Sequence, residues 1–531
     1  MSKPDNYIYI YDSTLRDGSQ TVGIDFTVND KKSIAQKLDQ LKFDYIEGGW
    51  PGSNPTDSEF FDNLPPVNQA KITAFGMTCK PSNVDNIDND PGIMQLINSN
   101  VDHITIVGKS WDFHVTDALN ITLEQNLELI ANSIKFIKNK DIDVTFDAEH
   151  FFDSYKNNSK YAMQVLQAAL ESGASWLVLC DTNGGTLPDE IYDITKEITA
   201  KIPGEKLGIH CHNDTGNAVA NSLAAVRAGA RQIQGTINGI GERCGNADLV
   251  TIIPSLVVKM GYKTCVDQES LKDFVKLSRF IDDKANLYSN SYAPYVGSSA
   301  FAHKAGLHVS AIMKDPSTYE HINPELVGNK RQILISKQAG RSNILKQLSD
   351  IGLKIDDYDA GKIQNLVDLV KENENKGYAY ESATASFELL ALRHLADIPE
   401  FFKLHSFRVI DERRWDSNNQ LITLSEATAK IFIDGQIYMS IAEGNGPVNA
   451  LDNVLKKVLS GKYPELNDIE LTDYKVRMVN TGGTESIIRV LIETKDSQDN
   501  KWSSIGISTN LIDASYAALR DSIIYKLYKK M

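Results

Sequence analysis

The first 240 residues alternate between short runs of β-branched, aromatic and other apolar residues and longer segments in which apolar residues recur every three or four positions. The short runs are typical of strands and the longer segments of amphipathic helices. Eight predicted strands share the first pattern: residues 7–11, 45–48, 71–75, 103–107, 143–146, 176–180, 207–210 and 231–236. Eight strand–helix units within about 240 residues favour a closed (β/α)8 TIM barrel over a doubly wound open sheet.

Capping signals support this order of elements. Thr27 stands three residues before Asp30, and Thr122 stands three residues before Gln125, each at the start of an amphipathic segment. A threonine followed three residues later by an acidic or amide side chain is the pattern of a capping box. We therefore expect two of the helices to begin at these threonines.

Beyond residue 263 the pattern changes to helical segments with polar breaks, and from about residue 404 to strands followed by a helix. The last block repeats one order of elements twice, as strands 407–410, 426–433 and 437–441 with helix 448–459, and then strands 474–479, 486–493 and 502–506 with helix 511–527. Such a repeat predicts a duplicated α+β module that could pair with its copy in a second chain. The predicted domains are a catalytic barrel, linker subdomains and a C-terminal module, at residues 1–285, 286–400 and 401–531.

Composition narrows the classes of function. The chain has 531 residues, 55 Lys plus Arg, 70 Asp plus Glu and a net charge of −15, which disfavours nucleic acid and anionic membranes as partners. No apolar run reaches the roughly 18 residues that a membrane span needs, and the first residues lack the apolar core of a signal peptide. The five cysteines are odd in number and lack paired spacing, which is typical of reduced thiols, so we expect a cytoplasmic protein.

Polar residues follow the predicted strands, where the active site of a TIM barrel forms. His210 and His212 are two positions apart at the end of the seventh strand, so their side chains share one face. With Asp17 after the first strand and Asn246 after the eighth, they would leave two octahedral positions open on Mg²⁺, Mn²⁺, Co²⁺ or Zn²⁺. A 2-oxo acid can occupy two such positions. The alternatives are two packed core histidines, an Asn246 outside the ligand set, and a loop ion pair between Asp17 and Arg16.

Four motifs then point to a known family. They are D-S-T-L-R-D-G from residue 12, I-E-G-G-W-P-G-S-N-P from residue 46, G-I-H-C-H-N-D from residue 208 and N-G-I-G-E-R-C-G-N-A-D-L from residue 238. Together with the duplicated C-terminal block they resemble the isopropylmalate, homocitrate and citramalate synthases, a family of TIM-barrel metallolyases that join a 2-oxo acid to acetyl-CoA. Residues 47–55 and 108–112 most resemble the long-form citramalate synthase group.

The resemblance implies a reaction and a set of residue roles. Pyruvate and acetyl-CoA would condense to (R)-citramalate and CoA in isoleucine biosynthesis, with Asp17, His210, His212 and, more weakly, Asn246 as metal ligands. Arg16 would bind the ketone oxygen, held by a bidentate pair with Glu47, and Thr182 would bind the substrate carboxylate.

The resemblance also implies how the methyl proton of acetyl-CoA is removed. Glu149 and His308, the latter from the partner chain of a homodimer, would organise this step, with His303 and His150 as alternatives to His308. Lys109, Trp111 and His114 are taken as packing residues outside the site.

Other functions remain as alternatives. A 2-isopropylmalate synthase acting on 2-oxoisovalerate belongs to the same family, and a non-catalytic amino-acid sensor could keep the fold. A 3-hydroxy-3-methylglutaryl-CoA lyase and a biotin-dependent carboxyltransferase are disfavoured, because the sequence has neither a Gly-Gly-Cys-Pro stretch nor a biotinyl-lysine segment. By the same resemblance the C-terminal module would bind isoleucine, at residues 435–442 and Asn480-Thr481-Gly482-Gly483, which could equally be plain hairpin turns.

Overall fold

The structure is a computed structural model that describes residues 3–333, 344, 348, 353, 358–396, 398–415, 417–479 and 486–531. The chain forms two compact units. The first contains Met1–Phe301 and Ile322–Arg331, and the second contains Ala302–His321 and Gln332–Met531.

The first unit is built on eight parallel strands: β1 (Tyr9–Asp12), β2 (Tyr45–Gly49), β3 (Lys71–Met77), β4 (His103–Lys109), β5 (Asp143–Glu149), β6 (Trp176–Asp181), β7 (Leu207–Cys211) and β8 (Gln232–Gly235). Each strand pairs with the next, and β1 also pairs with β8, where Tyr11 lies opposite Gln234. The sheet therefore closes, which confirms the TIM barrel and excludes the open sheet.

Helices surround these strands: α1 (Val28–Gln40), α2 (Pro55–Asp62), α3 (Pro91–Ile97), α4 (Asp112–Asp117), α5 (Leu123–Lys138), α6 (Phe151–Glu171), α7 (Pro188–Thr199), α8 (Ala218–Ala228), α9 (Leu249–Pro254) and α10 (Phe274–Lys284). Both predicted capping boxes are present, since Thr27 exchanges hydrogen bonds with Asp30 and Thr122 with Gln125. In the part of the chain that the structure describes, no helix is both long and apolar enough to cross a membrane.

Strands β1 to β7 end one to three residues later than predicted, whereas β8 ends one residue earlier. β4 and β5 run two and three residues further than predicted, because Lys109 still pairs with Glu149 across the barrel rim. Strand β1 begins at Tyr9 rather than residue 7, since Tyr7 forms only an isolated bridge with Lys263. The extended strand ends place charged side chains on the rigid barrel instead of on loops.

Among the described residues, the second unit begins with two short strands and three helices: β9 (Ala302–His303), α11 (Gly306–Ile312), β10 (Gln332–Ile333), α12 (Ala360–Asn375) and α13 (Thr384–Leu395). Two antiparallel sheets, each followed by a helix, come next: β11 (Lys403–Trp415), β12 (Leu421–Ile433), β13 (Gln436–Gly444) and α14 (Pro447–Leu459), then β14 (Glu470–Met478), β15 (Ile488–Lys495), β16 (Lys501–Ser508) and α15 (Leu511–Lys530). The predicted duplication of three strands and a helix is present, with β11 longer than residues 407–410 because its pairing with β12 continues to Trp415.

The first sheet of this module carries apolar side chains on both faces. Helix α14 covers one face, where Ala429, Ile431 and Leu455 belong to one buried cluster. The opposite face carries exposed apolar side chains, namely Ile410, Phe432, Ile437, Met439 and Ile441, which are 42–59% exposed. Asp434 and Gly435 make the two-residue hairpin turn between β12 and β13, with φ values of 48° and 82°. Residues 480–483 lie outside the described residues.

Candidate metal and substrate site

Three buried side chains meet at the carboxyl ends of β1 and β7. His210 lies on β7, His212 follows that strand directly, and Asp17 lies in the loop after β1. Their ligand atoms all lie within 4.8 Å of one another. Nε2 of His210 is 3.3 Å from Nε2 of His212 and 3.5 Å from Oδ2 of Asp17. The alternation of the strand thus turns both imidazoles toward one carboxylate, as the spacing predicted.

The free donor atoms of this cluster fit a divalent cation. Among the described residues, the buried Oδ1 of Asp17, Nδ1 of His212 and Oδ1 of Asn246 have no hydrogen-bond partner. Asn246 forms a backbone bridge with His212, which holds its amide beside the cluster. Unpaired polar atoms are rare in protein interiors, and a mixed set of nitrogen and oxygen donors suits several divalent metals.

The electrostatics favour the ligand form of each group. Burial disfavours a charge on Asp17, but Arg16 and the two histidines outweigh it and lower the pKa of the carboxyl to about 2. Burial also lowers the pKa of His210 and, helped by the neighbouring His210, brings that of His212 to about 4. At neutral pH the cluster therefore offers one carboxylate and two neutral imidazoles, which are the forms that bind metals.

Arg16 lies at the edge of the cluster and differs from the prediction in one respect. Its Nε donates to Oε2 of Glu47 at 2.7 Å and its Nη1 to Oδ2 of Asp17 at 3.1 Å, so the predicted bidentate pair with Glu47 is wrong. The guanidinium carbon lies 4.0 Å from the ring centroid of Phe75. Two carboxylates and a ring thus fix the guanidinium plane. Glu47 receives only one hydrogen bond from Arg16 because the adjacent Asp17 accepts from a second nitrogen of the guanidinium.

Glu47 is fully buried and is itself held by two hydroxyl groups. Tyr11 donates to its Oε1 at 2.8 Å, and Ser13 donates to its Oε2. The Tyr11 hydroxyl also lies 2.8 Å from the hydroxyls of Thr73 and Thr105. A network of this kind holds the carboxylate under Arg16.

Glu149 and Thr182 lie at the ends of β5 and β6. Lys109, predicted to be a packing residue, forms an ion pair of 2.5 Å with Glu149, because β4 and β5 continue to these residues. The Thr182 hydroxyl accepts the backbone N–H of His150 at 2.9 Å, and therefore keeps its own proton to donate. Trp111 packs on His150, with 5.7 Å between ring centroids.

The histidines considered as bases lie in different parts of the chain. His150 belongs to the barrel unit, and its Nδ1 lies 3.2 Å from Oδ2 of Asp153. His303 and His308 belong to the second unit, where His303 lies 3.1 Å from Glu320 and His308 stacks on Tyr319 at 4.1 Å. The contribution of His308 to the barrel site remains a prediction.

Two buried residues beside the site were given no role in the prediction. Gln234 on β8 accepts from Nδ1 of His210 at 3.0 Å and donates to Oδ1 of Asp147 on β5, also at 3.0 Å. Burial raises the pKa of Asp147 to about 8, and the nearby Glu47 adds to this effect. The predicted fifth strand ended at residue 146, so the alternation of inward and outward side chains along the strand was not extended to Asp147.

Family models match the chain in three consecutive ranges. Residues 7–281 match the HMGL-like family, residues 295–377 the homocitrate synthase post-HMGL domain-like family, and residues 381–527 the LeuA allosteric (dimerisation) domain. The (R)-citramalate synthases of Aquifex aeolicus and Geobacter sulfurreducens are each 50% identical over 525 residues, covering 98% of this chain and 98% of each relative. The chain belongs to the (R)-citramalate synthase family.

Other relatives and solved structures match this chain at lower sequence identity. A probable 2-isopropylmalate synthase of Methanopyrus kandleri is 31% identical over 516 residues, covering 96% of each chain. Among solved structures, the hydroxymethylglutaryl-CoA lyase of Pseudomonas aeruginosa is 18% identical, with a TM-score of 0.46, and covers 54% of this chain and 95% of that chain. The alignments to the two (R)-citramalate synthases, at 50% identity, span both the barrel and the C-terminal module.

Proposed function

We propose that the chain joins pyruvate to acetyl-CoA and hydrolyses the resulting thioester, giving (R)-citramalate and CoA. The observation that carries this proposal is the Asp17, His210 and His212 cluster with Arg16 fixed at its edge, in a chain 50% identical to (R)-citramalate synthases over nearly its whole length. Pyruvate is the smallest 2-oxo acid that can chelate a cation through its ketone and carboxylate. The product would feed isoleucine biosynthesis.

The proposed ligands are Asp17, His210 and His212, with Asn246 as a weaker fourth. A divalent cation, Mg²⁺, Mn²⁺, Co²⁺ or Zn²⁺, would polarise the ketone and orient the carboxylate of pyruvate when bound there. The orphaned Oδ1 of Asn246 supports its place beside the ion.

Arg16 supplies the donor for charge that develops during bond formation. Its Nε and Nη1 are engaged by Glu47 and Asp17, while Nη2 donates to none of the described protein groups. We assign this nitrogen to the ketone oxygen, which gains negative charge as the new carbon–carbon bond forms. A preorganised donor of this kind acts mainly on the transition state.

Thr182 and Glu149 complete the set in the barrel unit. The hydroxyl proton of Thr182 is available for the substrate carboxylate because its oxygen already accepts the His150 N–H. Glu149, held by Lys109, would take part in removing the methyl proton of acetyl-CoA, together with His308 of the partner chain. Removal of this weakly acidic proton must occur beside the electrophile, since the enolate otherwise reprotonates.

A homodimer and an effector site follow as further parts of this proposal. The match of residues 381–527 to a dimerisation domain and the exposed apolar face of β11–β13 support association of two chains. We assign residues 1–285 to catalysis, 286–400 to the linker and 401–531 to dimerisation and regulation by isoleucine. Titration of isoleucine and leucine against activity tests the last assignment, and a lack of response to either would contradict it.

The alternative within the family is a 2-isopropylmalate synthase. The lower identity of 31% to the Methanopyrus kandleri protein disfavours it. The deciding experiment measures CoA release from acetyl-CoA with pyruvate, 2-oxobutyrate and 2-oxoisovalerate. We expect pyruvate to give the highest kcat/KM by more than tenfold. A preference for 2-oxoisovalerate would overturn the proposal, and absence of release with every acid would favour a non-catalytic sensor.

A further inference from the structure

His210 is contacted from behind by a chain of two buried polar side chains. Its Nδ1 lies 3.0 Å from Oε1 of Gln234, whose Nε2 lies 3.0 Å from Oδ1 of Asp147. The residues come from β7, β8 and β5, and they are 5%, 0% and 3% exposed. The link therefore spans the inside of the barrel and is shielded from solvent.

The chemistry of the three groups gives this chain a direction. The NH₂ end of the Gln234 amide faces Asp147, since its Nε2 donates to Oδ1 of that carboxyl. The amide oxygen then faces His210 and can only accept, which places the proton of the imidazole on Nδ1. Nε2 is left with its lone pair on the side of Asp17 and His212, at 3.5 Å and 3.3 Å.

We infer that Gln234 and Asp147 are positioning residues that hold His210 in its metal-binding tautomer and orientation. The opposite amide orientation would leave Nδ1 as the acceptor and put a proton on Nε2, where it would oppose the cation. Metal-bound histidines generally donate their second ring nitrogen to such a partner. This inference rests on the metal site of the proposed function.

Strand β8 offers a matched control. Gln232 lies two residues before Gln234, so its side chain points to the same inner face of the barrel. It is also fully buried, and neither of its amide atoms has a hydrogen-bond partner among the described residues. Gln232→Leu therefore replaces a buried amide on the same face of β8, as Gln234→Leu does, but removes no hydrogen bond to His210.

The test is calorimetric titration of Co²⁺ into metal-free, full-length protein, with the electronic spectrum of the bound ion as a second readout. We expect Gln234→Leu to weaken Co²⁺ affinity by about 10- to 100-fold. Gln234→Glu keeps an acceptor for Nδ1 and should stay within about threefold of wild type, and Gln232→Leu should match wild type. Asp147→Asn permits both amide orientations, so its affinity should fall between those of wild type and Gln234→Leu.

Each result decides the inference. Wild-type affinity in Gln234→Leu, or a loss in Gln234→Glu as large as in Gln234→Leu, would overturn it. Asp17→Asn separates this inference from the metal site itself. If both Gln234→Leu and Asp17→Asn bind Co²⁺ like wild type, the assigned metal site is wrong. If Asp17→Asn loses Co²⁺ affinity and Gln234→Leu does not, only the positioning role of Gln234 is wrong. The melting temperature of each metal-free variant reveals a folding defect, and if Gln234→Leu does not fold, the ranking of wild type, Gln234→Glu and Asp147→Asn decides.

Discussion

Replacement of Arg16 by lysine perturbs the site at the point where the proposed reaction develops charge. The guanidinium donates from one rigid plane to Glu47 at 2.7 Å and to Asp17 at 3.1 Å, and it lies 4.0 Å above the Phe75 ring. An ammonium group has no such plane, so it can pair with these carboxylates but cannot also present an oriented donor to the ketone oxygen. We therefore expect Arg16→Lys to keep the positive charge and lose the preorganised donor.

The size of the effect follows from the role of that donor. Removal of one donor to a developing oxyanion costs about 100- to 1,000-fold in kcat, or about 3–4 kcal/mol of barrier. The KM for pyruvate should change by only about threefold or less, because the donor acts more strongly on the alkoxide-like transition state than on the neutral ketone. A fall in kcat with a nearly constant KM is thus the expected signature.

The assay measures CoA release with a thiol reagent under saturating acetyl-CoA, as pyruvate is varied. Arg227→Lys on the exposed side of α8 is the control and should leave both constants unchanged. A kcat within about threefold of wild type in Arg16→Lys would refute the assigned role. A large rise in KM with unchanged kcat would refute it as well, since it would show that Arg16 only binds the ground state.

Three further predictions concern the framework of the site. Tyr11→Phe leaves a buried oxygen of Glu47 without its donor, so the free energy of unfolding in urea should fall by about 1–3 kcal/mol, and an unchanged value would contradict the network described for Tyr11. Gly245 has a φ of +88°, and a Cβ there would collide with the carbonyl oxygen of Gly239. Gly245→Ala should therefore displace the neighbouring Asn246 and lower both the melting temperature and the Co²⁺ affinity. Wild-type values for both would contradict this prediction. Burial lowers the pKa of His103 to about 3, so the folded state excludes a proton that the unfolded state binds below about pH 6.5. The free energy of unfolding should therefore decrease as pH falls from 6.5 toward 3, by up to about 1.4 kcal/mol per pH unit. Urea unfolding at several pH values should show that His103→Gln has a weaker dependence of this free energy on pH. An equal pH dependence in the two proteins would contradict the assignment.

The sequence was sufficient to predict the barrel because its signals are local. Each strand is a short apolar run, and the helix starts at Thr27 and Thr122 carry their caps within four residues. The imidazole pair was also predictable, since a spacing of two residues on a strand fixes a shared face whatever surrounds it. Local periodicity therefore specified the fold and the centre of the site.

What the sequence did not reveal depends on contacts between residues that are far apart in the sequence. Polar residues at the ends of β4 and β5 looked like loop residues, so the pairing of Lys109 with Glu149 and the inward position of Asp147 were missed. The division of Arg16 between two carboxylates was likewise unpredictable, because it depends on how closely the β1 loop approaches β2. No periodic signal encodes such distances.

The central claim is that Asp17, His210 and His212 hold one divalent cation. The most direct measurement is an anomalous-difference map from crystals of the full-length protein grown with Mn²⁺. The account predicts a strong peak about 2.0–2.3 Å from a carboxylate oxygen of Asp17 and from one ring nitrogen of each histidine. A map in which the bound manganese lies elsewhere, with these three side chains left uncoordinated, would contradict it.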